Sequence, residues 1–338
     1  MTRTVNIAGG GLAGLALAAG LRRHGVPVIV REAGDYPRHR VCGEFISGTD
    51  PATLETLGIV DCFQDAVTLR EVTWHRRGEI ISRFRLAQPA LGISRYRLDH
   101  ALRDRVVKLG GEVIAGSRQK ASADEGNVWA AGRIPQPGPW IGLKCHFENI
   151  DLTGDLEMHL AGNGYVGLAR IGEGRVNVCG LFRVDRALRA KGPELLFAYL
   201  RAAGNELLVE RLQTASGDGI SFCVVAGFRF GRQKAALSRC AVGDAESMIP
   251  PFTGNGMSMA FQSAEAALDP LEHWSRGGQS WYECTEMIRQ RLRKCFHRRM
   301  CAAAVMHPLL LHHSGQRFLA TLGRSKLLPI QPLLALIR

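Results

Sequence analysis

The sequence predicts an α/β protein that carries an inserted antiparallel sheet and ends in a helical region. A strand, a glycine-rich turn, a helix and a second strand follow one another between residues 4 and 32. Short alternating segments separated by Gly and Asp then run from Trp140 to Val184, and a helical pattern continues from Met257 onward. The 338 residues are 46% hydrophobic and 22% charged. This composition is typical of one large or two modest globular domains, and it excludes disordered and fibrous chains.

The N-terminal unit is a βαβ motif. Thr4–Ala8 is a β-rich run, an Ala/Leu-rich helical pattern follows it, and Val26–Val30 is the next strand. The turn before the helix reads G-x-G-x-x-G. Gly9 permits the tight turn, Gly11 lets the backbone approach a pyrophosphate, and Gly14 lets helix and strand pack closely. Because the helix N-terminus adds N–H donors and a positive dipole end, we expect this unit to bind a dinucleotide.

Glu32 stands at the end of the second strand, where an acid accepts hydrogen bonds from the ribose hydroxyls of a dinucleotide. An acid at this place disfavours a 2′-phosphate. The expected cofactor of this unit is therefore NAD or FAD.

The remaining elements follow from local periodicity, capping and turn residues. We expect helices at Ala52–Leu57, Leu98–Leu109 and Pro193–Ala203, and strands at Glu71–Trp74, Ile80–Arg85, Glu112–Ile114 and Val128–Ala130. Ala241–Asp244 predicts a strand that passes into a loop.

The net charge and the cysteine content indicate which binding partners and which cellular compartment to expect. The chain has 43 Lys and Arg against 31 Asp and Glu, a formal net charge of +12, which favours anionic partners. It has no aromatic stacking motif beside that charge, so we expect no nucleic-acid binding. Nine scattered cysteines without a C-x-x-C pair predict neither a disulfide framework nor a zinc site. No apolar run reaches the ~18 residues of a membrane span, and we expect a cytoplasmic protein.

A second motif separates the two dinucleotides. Arg239–Ala245 followed by Pro250–Met257 resembles the second FAD fingerprint of the flavin hydroxylase and geranylgeranyl reductase superfamily. The aspartate of such a segment binds ribityl hydroxyls, and its glycine turn opens a helix beside the flavin. Together with the first turn, the resemblance implies FAD contacts from Ala13, Gly243, Asp244, Gly254, Gly256 and Met257. An NAD-dependent dehydrogenase conflicts with this fingerprint.

Two further segments carry the same resemblance. Pro37–Ser47 contains Cys42-Gly43-Glu44 and is similar to the Cys-Gly segment that geranylgeranyl reductases place beside the isoalloxazine ring. Neighbouring arginines and a histidine predict a lowered pKa for the Cys42 thiol, and a buried thiol that only packs the loop is the alternative. Cys42 and Glu44 are the candidate catalytic residues. The superfamily's R-x-x-x-D segment matches at Arg95, which is expected to contact FAD, and at Asp99, which is expected to open the helix.

The resemblance extends from residue 5 to about residue 268 and implies a complete architecture. It consists of a Rossmann-like FAD-binding domain, an antiparallel substrate-binding sheet and a helical C-terminal region. The expected boundaries are 1–72, 92–135 and 236–270 for the FAD domain, 73–91 and 136–235 for the sheet, and 271–338 for the helices.

The implied activity is that of an FAD-dependent oxidoreductase acting on a hydrophobic small molecule. The leading hypothesis is reduction of a C=C bond by reduced flavin. The alternatives are a monooxygenase that hydroxylates an aromatic or polyketide-type substrate and a flavin-binding scaffold with little catalysis. NADPH, NADH or an electron-donor protein would reduce the flavin.

Two segments depart from the superfamily's pattern. Its Ala-Asp-Gly motif reads Ala130-Ala131-Gly132 here, and the missing aspartate argues against direct reduction by NADPH. Its aromatic lipid-pocket motif is replaced at Gly164–Arg170.

Two regions bear on the substrate. Strand alternation predicts six pocket residues in the sheet, and we expect no metal among them. They are Trp140, Lys144, His146, His159, Tyr165 and Phe182. Arg289–Arg299 carries many basic residues, and apolar proline-broken pieces follow it at 308–311, 327–330 and 333–337. This pattern predicts either peripheral contact with an anionic membrane or a solvated helix followed by a packed C-terminal segment.

Overall fold

A computed structural model describes residues 2–120, 122–233 and 238–325, together with 327, 332, 333 and 336. The strands are β1 (Val5–Ala8), β2 (Val28–Arg31), β3 (Phe45–Ile46), β4 (Val67–Arg76), β5 (Glu79–Gly92), β6 (Glu112–Ile114), β7 (Asn127–Trp129), β8 (Trp140–Glu148), β9 (Leu156–Ala161), β10 (Gly164–Arg170), β11 (Arg175–Arg183), β12 (Ser216–Ala226), β13 (Gly231–Arg232), β14 (Cys240–Ala241) and β15 (Ser247–Met248). The α-helices are α1 (Leu12–Arg23), α2 (Pro51–Leu57), α3 (Arg95–Lys108), α4 (Glu194–Ala202), α5 (Glu206–Gln213), α6 (Gly256–Ser275), α7 (Trp281–Leu311) and α8 (His313–Arg324).

A parallel five-stranded sheet forms the first layer, in the order β14-β7-β1-β2-β6. Ile7 at its centre pairs with Val30 on one side and Val128 on the other. Val5 and Ile7 of β1 are buried in one core cluster with apolar residues of α1, α3 and α6, as expected for a parallel sheet covered by helices. Because β7 and β14 come from distant parts of the chain, the sheet gathers the glycine turn and residues 240–245 at one edge.

An eight-stranded sheet forms the second layer, in the order β12-β8-β11-β10-β9-β4-β5-β3. Its neighbouring strands are antiparallel except β4 and β9, which are parallel. Helices α4 and α5 cover its outer face, where Leu143, Val178 and Phe182 are buried against Leu200 and Leu212. The inner face therefore remains for contact with the parallel layer and α7.

The predicted fold class is confirmed: a Rossmann-like parallel layer, an antiparallel sheet and a helical C-terminal region are all present. Strand β4 begins at Val67 and belongs to the large sheet, although the expected FAD segment runs to residue 72. The boundary predicted between residues 235 and 236 lies outside the described residues, and so does most of the predicted helical region beyond residue 325. Within the described part of the chain, every helix is too short or too polar to cross a bilayer.

Helix α3 begins earlier than the sequence pattern indicates. Its N-cap is Ser94, whose Oγ accepts a hydrogen bond from Tyr96 N at 3.2 Å. Asp99 therefore lies in the second turn of the helix, is completely buried, and does not cap it. The expectation that Asp99 opens the helix is wrong, because the Ser94 hydroxyl already satisfies the first turn.

The turn between β1 and α1 depends on close packing at one glycine. A Cβ atom at position 14 would lie 2.0 Å from the Gly9 carbonyl oxygen, whereas a Cβ at position 11 would meet no heavy atom within 4 Å. Gly9 itself has φ +110° and packs against the backbone of Ala131. Gly14 is thus required for close packing of the turn, whereas the space beside Gly11 is free of other protein atoms. This space beside Gly11 is the open face of the turn.

We expect Gly14→Ala to lower the free energy of unfolding by about 2 kcal/mol, since overpacking against backbone outweighs the ~1 kcal/mol gain in helix propensity. The matched variant Gly11→Ala should change it by less than about 1 kcal/mol, the size of an N-cap effect. Urea unfolding of the two proteins measures the difference. Equal stabilities would contradict the packing role of Gly14.

Candidate active site

A cleft of about 940 Å³ lies between the two layers and extends from the glycine turn to the inner face of the large sheet. Most of the predicted cofactor-binding residues line it. They are Gly9, Gly11, Ala13, Glu32, Cys42, Gly43, Arg95, Asp244, Gly254, Gly256 and Met257. Gly14, Glu44 and Gly243 lie behind this surface. A Cβ on Gly243, which has φ +62°, would lie 2.8 Å from Ala13 Cβ, so this glycine packs against the turn.

The end of the cleft beside β2 is polar. Glu32 is buried, and its carboxylate accepts hydrogen bonds from Gly10 N at 2.7 Å and from Arg38 Nη2 at 2.6 Å. Glu32 also accepts a bond from Gly34 N at 3.2 Å. The carboxylate thus links the glycine turn to the segment that follows β2, at the place where the sequence predicts ribose binding.

Two buried hydrogen-bond donors in the cleft wall have no hydrogen-bond partner among the described residues. They are Arg40 Nη2 and Trp129 Nε1. An unpaired buried donor is costly, and a guanidinium suits a phosphate or carboxylate. With the open face at Gly11 and the N–H groups at the start of α1, these donors fit the diphosphate and polar groups of a dinucleotide. The sequence analysis did not single out either residue.

Arg95 and Arg40 share one buried carboxylate. Arg95 donates to Asp99 Oδ1 from Nε at 2.7 Å and to Oδ2 from Nη2 at 2.9 Å, and Arg40 Nε donates to Oδ2 at 2.9 Å. The two cations are thereby held at the cleft wall with fixed orientation. Asp99 is a positioning residue for both guanidinium groups.

Three thiols line the cleft, those of Cys42, Cys179 and Cys223. Burial raises the pKa of each thiol above its ordinary value. The lowered pKa that the sequence predicts for Cys42 is wrong, because desolvation outweighs the nearby Arg95 cation. Cys42 Sγ also accepts a weak hydrogen bond from Glu44 N at 3.4 Å. The structure thus shows a neutral thiol at the predicted place.

Glu44 is the centre of a buried charged network under the Cys42-Gly43 segment. Its Oε2 lies 2.5 Å from His146 Nε2, and its Oε1 lies 3.5 Å from Lys144 Nζ and accepts a hydrogen bond from Arg95 N at 2.9 Å. Glu44 and Lys144 are 0% exposed and His146 is 1% exposed. Glu44 also has φ +56°, a conformation that side chains rarely adopt. This candidate residue therefore does not face the cleft directly.

His39 connects this network to the cleft. It lines the cleft wall, and its Nδ1 lies 3.2 Å from Lys144 Nζ. Its ring stacks on Tyr96 at a centroid distance of 4.5 Å and meets His146 edge-on at 5.1 Å. Burial and the Lys144 cation lower the pKa of His39 to about 4, so the ring is neutral at pH 7. His39 is the histidine near Cys42 in the sequence, which predicts no site role of its own for this residue.

The opposite wall combines a carboxyl with a glycine turn. Asp244 opens onto the cleft, and the enclosing protein raises its pKa to about 6. Arg133 lies across from it, donates to the carbonyl groups of Ala226 and Gly227, and stacks over Phe228 at 4.6 Å. The turn before α6 contains Gly254 at φ +68°, where a Cβ would collide with the Phe45 ring.

The far end of the cleft is apolar. Its lining includes Met158, Leu181, Met248 and Ile249, and Tyr165 is the one predicted sheet residue that lines it. The other five lie elsewhere. Lys144 and His146 are in the buried network, Trp140 packs near Phe230 and His307, and Phe182 and His159 are on the outer face.

Tyr165 is held by a histidine from α7. Its hydroxyl lies 3.4 Å from His307 Nε2 and accepts a hydrogen bond from Phe252 N at 3.3 Å. The His307 ring stacks on Phe252 with a centroid distance of 5.8 Å and contacts Trp140 and Phe230. Burial among these rings lowers the pKa of His307 to about 4.

A second group of ligand-type side chains lies on the outer face of the sheet. His75, Glu157 and His159 are buried close together, but the two imidazole rings stack at 4.3 Å, and Glu157 Oε2 accepts bonds from His159 Nε2 and Arg211 Nη2, both at 2.8 Å. Stacked rings cannot both direct a lone pair at one ion, and Arg211 neutralises the carboxylate. The group is a hydrogen-bonded network between β4, β9 and α5.

The surface of α7 bears on the predicted membrane contact. Arg293, Lys294, His297 and Arg298 are exposed, and Val305 is 72% exposed further along the helix. The apolar pieces predicted at 327–330 and 333–337 lie largely outside the described residues. Membrane contact and the cytoplasmic location stay predictions.

The fold is shared with several flavoproteins of known structure. No protein-family model matches the sequence, and no curated protein matches it. Among solved structures, PqsL of Pseudomonas aeruginosa in complex with 2-aminobenzoylacetate has a TM-score of 0.73 at 17% identity, covering 94% of this chain and 98% of PqsL. The p-nitrophenol 4-monooxygenase PnpA of Pseudomonas putida has 0.75 at 14%, covering 99% and 97%. A geranylgeranyl bacteriochlorophyll reductase-like protein of Thermoplasma acidophilum has 0.75 at 17%, covering 99% and 96%. The chain therefore shares its fold with these proteins, as the resemblance implied.

We expect Lys144→Met to destabilise the protein by about 3–5 kcal/mol, because it leaves the buried Glu44 carboxylate without its cation. The double variant Glu44→Gln/Lys144→Met removes both charges and should recover most of that loss. Urea unfolding of the wild type and both variants measures the coupling. Additive losses in the double variant would show that the two charges do not interact.

The neutral state of His307 makes stability depend on pH. Its pKa is about 4 in the folded protein and near 6.5 in an unfolded chain, so the unfolded state binds more protons between these values. The contribution of the neutral His307 to the free energy of unfolding is therefore fully present above about pH 6.5, and it is lost as the pH falls toward 4. We expect His307→Phe to flatten this part of the curve, measured by urea unfolding at pH 7, 6 and 5. Tyr165→Phe keeps the imidazole and should retain the wild-type slope; an unchanged slope in His307→Phe would contradict the assignment.

Proposed function

We propose that this protein is an FAD-dependent oxidoreductase that acts on an apolar small molecule bound at the sheet end of the cleft. The observation that carries the proposal is the continuity of the cleft. Eleven predicted cofactor residues from four separate segments of the chain line one space that ends at the large sheet. A scaffold that only binds flavin has no need of an apolar chamber connected to the cofactor site.

FAD suits the polar half of the cleft. Glu32 would hold the ribose, Arg40 and the first turn of α1 the diphosphate, and Asp244 the ribityl chain. The Cys42-Gly43 segment and the turn at Gly254 would form the walls around the isoalloxazine ring. FAD supplies hydride transfer when it is bound and reduced; the protein supplies binding, orientation and exclusion of water.

Reduction of a C=C bond is the preferred activity. Such a reduction needs a proton as well as a hydride, and the cleft has a charged, hydrogen-bonded network at its wall that can hold one (Lys144, Glu44, His146 and His39). The apolar lining at Met158, Leu181 and Ile249 favours a hydrophobic substrate.

Hydroxylation is the second candidate. The enclosed apolar end and the ring cluster around Tyr165 and His307 would exclude water from an aromatic or polyketide-type substrate. PqsL, which shares the fold, was crystallised with the small aromatic compound 2-aminobenzoylacetate. This candidate differs from reduction in consuming oxygen and inserting it into the product.

FAD titration of the purified protein is the first test. We expect quenching of flavin fluorescence on binding, and at least ~10-fold weaker binding, about 1.4 kcal/mol, in Gly11→Ala, where a methyl group would enter the open face against the diphosphate. Gly219→Ala, at an exposed position of β12 that does not line the cleft and has room for a methyl group, serves as the control. A wild-type protein that takes up no FAD would overturn the proposal.

Anaerobic photoreduction of the FAD-loaded protein then separates the activities. Reoxidation by an apolar α,β-unsaturated carbonyl compound without oxygen indicates reduction, whereas substrate-dependent oxygen incorporation, followed by mass spectrometry with ¹⁸O₂, indicates hydroxylation. Adding NADPH or NADH to the oxidised protein tests the electron donor. Bleaching by either nicotinamide identifies it, and no bleaching favours an electron-donor protein.

A further inference from the structure

We propose that His39 is the catalytic acid of the cleft and that Lys144, Glu44 and His146 are positioning residues that keep it supplied with a proton. This inference rests on the proposed reductive function. It assigns the proton-donating role to a residue other than Cys42 and Glu44.

The position of His39 is the first support. Of the network's side chains, His39 is the one that lines the cleft, at the wall formed by residues 38–43. Lys144 and Glu44 are 0% exposed and cannot reach a ligand. Cys42 also lines the cleft, but the buried charged group hydrogen-bonded to its thiol is the Arg95 guanidinium, which is too basic to supply a proton.

The hydrogen bonds determine which ring nitrogen carries the proton. Lys144 Nζ is an ammonium donor, so His39 Nδ1 must accept in their 3.2 Å contact. The neutral ring then carries its proton on Nε2. Among the described residues Nε2 has no hydrogen-bond partner, which leaves this N–H for a ligand. The ring orientation is fixed by stacking on Tyr96.

The buried charges supply the replacement proton. When Nε2–H is donated to a substrate, the Lys144 ammonium donates a proton to Nδ1 and becomes a neutral amine. Beforehand, the Glu44 carboxylate, itself held by Arg95 N and His146, lies 3.5 Å from Lys144 Nζ. These groups, with Asp218 on β12 and the stacked Tyr96 phenol, are the charged and titratable neighbours of His39.

The step balances for reduction of an alkene. The π bond breaks, one carbon gains a hydride from reduced flavin, and the other gains the proton from His39 Nε2. The flavin is oxidised and the alkene is reduced by two electrons. Lys144 regains its proton from solvent through His39 after the product leaves.

Histidine NMR tests the proton position without any substrate. In the full-length protein labelled with ¹⁵N-histidine, long-range ¹H–¹⁵N spectra at pH 7 should show His39 neutral and protonated at Nε2, with assignment from His39→Gln. The double variant Glu44→Gln/Lys144→Met should lose the hydrogen-bond shift at Nδ1. A ring protonated at Nδ1 would overturn the proposal.

Single-turnover kinetics test the acid role. After photoreduction of the FAD-loaded protein, we expect His39→Gln to slow reoxidation by the alkene about 100-fold, a typical contribution of general acid catalysis, without loss of FAD affinity. Imidazole should restore part of the rate to His39→Ala, and the double variant should shift the pH profile. The control His297→Gln changes an exposed histidine on α7.

The outcomes distinguish the two levels of the proposal. If the wild type binds FAD but reduces no alkene, the proposed reduction is wrong and the donor role of His39 falls with it. If the wild type reduces the alkene and His39→Gln does so at the same rate and with the same pH profile, the function stands and His39 is not the acid.

Discussion

The buried contact of Glu44 with Lys144 and His146 fixes the relation between the two layers. Glu44 belongs to the segment that leaves the parallel layer, and its carboxylate also accepts a hydrogen bond from Arg95 N at the start of α3. Lys144 and His146 lie on β8 of the large sheet. One carboxylate thus holds three parts of the chain around the cleft. Since a buried ion pair is costly to form and costly to break, the width of the cleft at this wall is set by a contact that has little freedom.

The two ends of the cleft differ in polarity for a reason found in the architecture. The polar end is built from termini of parallel strands and the first turn of α1, where backbone N–H groups and charged side chains converge. The apolar end is the middle of an antiparallel sheet, whose inner face presents alternate side chains such as Met158 and Leu181. The polar end therefore suits the charged part of a ligand, and the apolar end suits a hydrophobic molecule bound next to it. The two ends are built from different kinds of secondary structure.

Much of this arrangement could be predicted from the sequence, because strand–turn–helix punctuation and the two glycine motifs are local signals. Gly9, Gly11 and Gly254 could be placed without knowledge of the fold. The network could not: Lys144 and His146 were expected in the pocket from strand alternation alone, and only the tertiary pairing of β8 with residues 39–44 shows that they are buried beneath it. The pKa of the Cys42 thiol is a similar case. The positively charged neighbours in the sequence predict a lowered pKa, but burial in the folded protein raises it. Strand β12 and helix α5 were missed because their apolar residues are interrupted by Gly, Ser and Glu.

The three raised thiol pKa values have a consequence for the durability of the cleft. Thiols react with peroxide and electrophiles mainly as thiolates, and oxidation of cysteine follows thiolate character. Cys42, Cys179 and Cys223 are held as neutral thiols at the wall of a chamber where reduced flavin would meet dissolved oxygen. Their chemistry is thereby suited to tolerate the peroxide that such an encounter releases. The same burial that makes Cys42 a poor nucleophile would protect the wall against side reactions of a flavin bound beside it.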